Sequence, residues 1–277
     1  FKRGRRRAVQ RVARRRQLTQ DWLRGVSPDT RFAYLGISSL GTSVYLTVRG
    51  LKRPEVEVIG CAPCSLVSKM ASRLCTRPTP RASSLKTPSP SGPRVAMASP
   101  GYPAYRNILT ALGIEPVLVL TGSEHRFQPT VALLEALNQP LDGLIIASPS
   151  NPTGTMINDK EMYQLAIYCK EKEIRLISDE IYHGITYEEK AVSALGADID
   201  SLVINSFSKY FSMTGWRLGW MVVPNDLIRP IECLTQNMFI SPPTLSQLAA
   251  TAAFQSYEEA EKNVKRYAQN RSILMNE

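Results

Sequence analysis

At 277 residues the chain is long enough to bury one large core or two. Its formal charge of +10 comes from the first third alone: residues 1–94 carry 20 Lys and Arg against 4 Asp and Glu, and residues 95–277 carry 14 against 20. Five cysteines with no repeated spacing exclude a disulfide framework, and no apolar run reaches membrane-spanning length, so the expected compartment is the cytoplasm with no membrane partner.

Residues 1–20 form an Arg-rich run without an acid, and residues 78–94 are dominated by Pro, Ser, Thr and Arg, a composition that buries no core. Between them, residues 32–48 have enough apolar and β-branched residues for a strand pair turning at Gly41. Cys61, Cys64 and Cys75 have part of a metal-site spacing, but no second pair follows and the two histidines, His125 and His183, are distant, so no metal site is expected. Residues 1–94 are therefore read as a basic, low-complexity segment, non-native or disordered. A frame error or gene fusion upstream of Val95 accounts for it first, a basic arm for nucleic acid or acidic membrane second, and a targeting segment third.

From Val95 the pattern changes to apolar strands alternating with amphipathic segments, the signature of βαβ units. Strand 95–98 leads to a helix at about 105–112 that Gly113 stops, and strand 116–120 leads to a helix at about 130–138. Strand 144–147 precedes a helix running to about residue 172, capped by Asn158 or Asp159. Strands at 175–178, 202–206 and 218–223 complete a doubly wound α/β sheet, and helices follow at 226–236, 243–254 and 257–275. Residues 95–240 form the expected core, and 241–277 the helices beyond it.

Polar residues collect where the apolar runs end. Asn151 lies in Ser148-Pro-Ser-Asn-Pro-Thr-Gly154, Asp179 and Tyr182 lie in Ser178-Asp-Glu-Ile-Tyr182, and Tyr102 lies in Ser99-Pro-Gly-Tyr-Pro-Ala-Tyr105. Lys209 follows Ser206 and Ser208 and precedes Arg217 by eight residues. In open α/β sheets ligands bind outside the carboxyl ends of the strands, so these ends describe one pocket suited to a phosphate and an electrophilic carbon.

The Ser-x-Ser-Lys run with its later Arg resembles the cofactor-bearing segment of fold type I aminotransferases, which use pyridoxal 5'-phosphate (PLP), and the three upstream motifs occur in that family's order. The resemblance covers about residues 94–277. It implies a PLP-transferase-like large domain and a homodimer acting on an amino acid and a 2-oxo acid. Lys209 would attach the cofactor aldehyde and move a proton, Asp179 would pair with the pyridine nitrogen, and Tyr182 with Asn151 would donate to the ring oxygen. Tyr102 would stack on the ring, and Ser206, Ser208 and Arg217 would hold the phosphate. Glu180 is read only as a neighbour of Asp179. Two departures from the family are a missing Gly-rich phosphate turn in residues 60–90 and a chain that stops before the small carboxyl-terminal domain, so an inactive fragment is one expectation. A PLP-dependent carbon-sulfur lyase shares every motif. A transcription regulator with an aminotransferase-like domain would need a helix-turn-helix that the first third does not offer, so nucleic acid is not the expected partner.

Overall fold

The computed structural model describes residues 92–238 and 240–276, together with the backbone of three strands in the amino-terminal third. The expectations for residues 1–20, for the turn at Gly41 and for Cys61, Cys64 and Cys75 lie outside the described residues. Contacts divide the chain into two units, Cys61–Ser206 and the combination of Phe1–Gly60 with Phe207–Glu277. Among the described residues no helix is long and apolar enough to cross a membrane.

The strands of the Phe1–Gly60 and Phe207–Glu277 unit are β1 (Tyr34–Ile37), β2 (Val44–Thr47), β3 (Glu55–Ile59) and β9 (Gly219–Val222), joined antiparallel in that order. The expected strand pair within 32–48 is therefore present as β1 and β2, with Leu35 opposite Leu46. β3, whose Glu-Val-Glu-Val-Ile alternates with period two, was not expected from the sequence.

The Cys61–Ser206 unit holds the parallel strands β4 (Arg94–Ser99), β5 (Glu115–Leu120), β6 (Gly143–Ala147), β7 (Arg175–Asp179) and β8 (Leu202–Ser206). Their order is β8-β7-β6-β4-β5. Leu144, Ile145 and Ile146 are successive and all buried, as a parallel strand covered on both faces requires. On β5, at the end of the order, Val117 and Val119 are buried while Leu118 and Leu120 are exposed. The winding reverses between β4 and β6, so a topological switch point lies where the Tyr102 and Asn151 loops leave the sheet.

Helices pack against these strands with legible termini. α1 (Pro103–Ala111) begins two residues before its expected start because Pro103 supplies a pre-set φ at the first helical position. It ends in a Schellman motif, with Gly113 N–H donating to the Thr110 carbonyl, Ile114 N–H to the Leu109 carbonyl, and Gly113 at φ +71°. α2 (Val131–Ala136) is capped by Thr130, and α3 (Asp159–Glu171) by a capping box in which Asn158 accepts from Glu161 N–H and Glu161 accepts from Asn158 N–H. α3 buries Met162, Leu165, Ala166 and Cys169 and packs on β7 and on α4 (Ala194–Ala197), where Lys170 and Asp198 pair at 3.2 Å. α5 (Asn225–Met238), α6 (Thr244–Ala253) and α7 (Tyr257–Asn276) follow β9 at the expected positions.

Candidate functional site

β7 ends on Asp179, whose register partners are Ala147 on β6 and Ile204 on β8. The ladder continues past it, since Ser148 N–H donates to the Asp179 carbonyl at 3.2 Å and Glu180 N–H to the Ile204 carbonyl at 2.8 Å. That placement puts the carboxylate at the carboxyl end of a central strand with only 2% of the residue exposed. Among the described residues Tyr105 Oη donates to Oδ2 and Ile181 N–H to Oδ1. Burial pushes the Asp179 carboxyl from its ordinary 3.8 up to about 6 against the pull of Tyr105, Ile181 N–H and His183, with Glu180 adding to the rise. A buried acid in that condition gains from a neighbouring cation.

Tyr105 lies on the buried face of α1, one turn before Leu109, and its ring meets Tyr102 edge to face at 5.6 Å. Tyr102, half-buried at the helix N-cap, is thereby connected to Asp179 through one intervening side chain. Sequence reasoning chose Tyr102 and passed over Tyr105; the i, i+4 spacing of Tyr105 and Leu109 was the available signal.

Asn151 lies in a tightly braced loop. Ser150 N–H donates to the Thr155 carbonyl at 2.9 Å, and Gly154, at φ +69°, donates back to the Ser150 carbonyl at 2.8 Å. Buried Gln128 donates from Nε2 to the carbonyls of Ala147 and Thr155 at 3.2 and 2.9 Å, joining both sides of that loop. Ser148 is fully buried, and its Oγ accepts from Ile157 N–H at 3.0 Å.

Tyr182 is half-buried in the turn after β7, where His183 N–H donates to the Glu180 carbonyl and Ile185 N–H to the Tyr182 carbonyl, both at 2.9 Å. Glu180 is more than a neighbour of Asp179. It is 2% exposed, and its Oε1 accepts from Ser178 Oγ, Ser193 Oγ and Ala194 N–H at 3.0, 3.1 and 2.9 Å. Adjacent strand-end residues face opposite sides, so Glu180 organises the start of α4 while Asp179 meets Tyr105. Ser206 closes β8 and is buried.

The remaining expected residues belong to the other unit, in a loop closed by Phe207 N–H donating to the Leu218 carbonyl at 3.2 Å. Ser208 is buried and its carbonyl accepts from Thr214 Oγ1 at 2.8 Å, while half-buried Lys209 accepts at its carbonyl from Ser212 N–H at 3.0 Å. Arg217, exposed and at φ 52°, donates from Nη1 to the Thr214 carbonyl at 2.6 Å. The loop is anchored by Phe207, whose ring meets Phe211, Trp220 and Phe254 at 5.4, 4.9 and 5.3 Å.

The family model described as aminotransferase class I and II matches residues 84–277, beginning ten residues before the motifs became legible in the sequence. Valine–pyruvate aminotransferase of Mycobacterium tuberculosis is 51% identical over 188 residues, 66% of this chain and 48% of that protein. The (5-formylfuran-3-yl)methyl phosphate transaminase of Methanocaldococcus jannaschii is 40% identical over 189 residues, again 66% of this chain and 48% of the relative. A crystal structure of an aminotransferase from Mycobacterium tuberculosis superposes with a TM-score of 0.70 at 44% identity, covering 80% of this chain and 54% of that one. The chain spans about half the length of the curated relatives it matches.

Proposed function

The chain belongs to the family of class I and II aminotransferases, and from that premise we propose that it serves PLP-dependent transfer of an amino group between an amino acid and a 2-oxo acid. When bound, PLP supplies an electron sink for charge that develops at the substrate α-carbon. The observation that carries the reading is the buried Asp179 carboxyl at the end of β7, held by Tyr105 and pushed up to about 6. A protonated ring nitrogen is a cation that such a group would pair with, so the donor set fits this cofactor.

On this reading Asp179 would keep the ring nitrogen protonated, and Asn151 and Tyr182 would donate hydrogen bonds to the ring oxygen. Tyr102 would cover the ring face. Ser206, Ser208 and Arg217 bind the phosphate, Arg217 as a forked cationic donor. Lys209 would hold the cofactor through its amine and would supply the group that moves a proton at the substrate α-carbon. The relative matched at 51% identity makes valine and pyruvate the first substrate pair to assay. A homodimer and a cytoplasmic location are further parts of this proposal, supported by the family alone. Likewise, residues 95–240 as the cofactor-binding core, with 241–277 leading away from it, rest on the family's organisation.

The test is spectroscopic. PLP added to the purified chain and then dialysed leaves a visible absorption band that Lys209→Ala abolishes. A chain that stays colourless after the same treatment overturns the reading.

A further inference from the structure

We propose that His183 is a positioning residue that locks the Asn151 loop to the end of β7. The inference rests on the reading of Asn151 as a donor to the cofactor. Ser148, three residues before Asn151, is held at its N–H by the Asp179 carbonyl at 3.2 Å and at its hydroxyl by Ile157 N–H at 3.0 Å. Its remaining polar atom, the carbonyl, faces His183 Nε2 at 2.9 Å. A carbonyl only accepts, so Nε2 carries a proton and donates.

The ring is aimed in turn. Its Nδ1 lies 3.4 Å from Glu180 Oε2, an ion pair when the ring carries a proton on both nitrogens, and Glu180 is fixed through Oε1 by Ser178, Ser193 and Ala194 N–H. One relay thus runs from the start of α4, through a buried carboxylate and an imidazole, to the backbone of the loop that presents Asn151. Glu180 and His183 touch none of the expected cofactor-binding side chains through these bonds. Their effect passes through the Ser148 carbonyl, and the side chain that benefits is Asn151, whose loop is braced from its other side by Gln128.

Two substitutions separate this role from simple space filling. His183→Gln places an amide nitrogen near the position of Nε2 and keeps the donor to Ser148, whereas His183→Asn is too short to reach it. In the cofactor-free chain, hydrogen exchange at the amides of Ser150, Gly154 and Ile157 accelerates about 5-fold in His183→Asn and stays within about twofold in His183→Gln, the scale of one lost hydrogen bond. The dissociation constant for added PLP, read by absorbance, rises about 5-fold in His183→Asn and is restored in His183→Gln, with the thermal midpoints of the two variants alike. Equal exchange in the two variants, or PLP affinity that does not follow it, overturns the inference. Should the unsubstituted chain take up no PLP, the reading of function fails, and the exchange comparison still decides whether the bridge exists.

Discussion

Tyr105 donates its hydroxyl hydrogen to Asp179 Oδ2, across 74 residues of sequence, so that the first turn of α1 holds the carboxylate at the end of β7. The bond makes the acid's environment asymmetric: one oxygen is held by a phenol, the other by the Ile181 amide. Tyr105→Phe removes one donor from a buried carboxylate, a loss of about 1.5 to 3 kcal/mol for the charged form. The expected outcome is an Asp179 titration displaced upward by about one to two units, followed by carbon NMR of the carboxyl group. An unmoved titration would show that the phenol does not set this acid's charge.

The raised value has a definite sign in stability. Asp179 sits at about 6 in the folded chain against an ordinary 3.8, so its neutral form is favoured by folding. Stability from this group is complete below about pH 4 and is lost as pH rises through about 6, a change of about 3 kcal/mol. Asp179→Asn cannot ionise. In urea unfolding of the cofactor-free chain, the variant gains on the unsubstituted protein by up to about 3 kcal/mol between pH about 4 and about 8. A difference independent of pH would remove the buried acid from the account.

Glu180 has the opposite role, as an acceptor that satisfies others. Glu180→Ala leaves the hydroxyls of Ser178 and Ser193 and the Ala194 amide without their acceptor, and about 3 to 5 kcal/mol of stability is lost. Glu180→Gln retains an oxygen at that position and costs about 1 to 2 kcal/mol. Denaturant midpoints compared at one pH distinguish the two.

Phe207 stands two residues before Lys209 and is 2% exposed, packed among Phe211, Trp220 and Phe254. Phe207→Ala opens a cavity in that cluster and destabilises the unit by about 3 to 5 kcal/mol. Thermal and urea unfolding read the loss directly, and a cost below about 1 kcal/mol would mean that the ring cluster does not anchor the loop.

Much of the carboxyl-terminal two-thirds was legible because its signals are local. The apolar run of β6, the Asn158 cap with Glu161 three residues on, and Gly113 at a left-handed stop each act within a few residues. β3 escaped because its partner is β9, more than 150 residues away, and a five-residue strand declares itself only once that partner is known.

The sequence by itself determined that strand-end motifs carrying Asn151, Asp179, Tyr182 and Lys209 recur in a family's order, since each motif is a short run whose chemistry and spacing survive without a fold. Only the tertiary structure decided what surrounds each of two adjacent acids. Asp179 and Glu180 are chemically near-identical in a linear reading, and their fates diverge because one strand-end side chain meets Tyr105 of a distant helix while the next meets the hydroxyls and amide at the start of α4. Burial, and the count of donors around each carboxylate, are properties of the packed chain that no local spacing encodes.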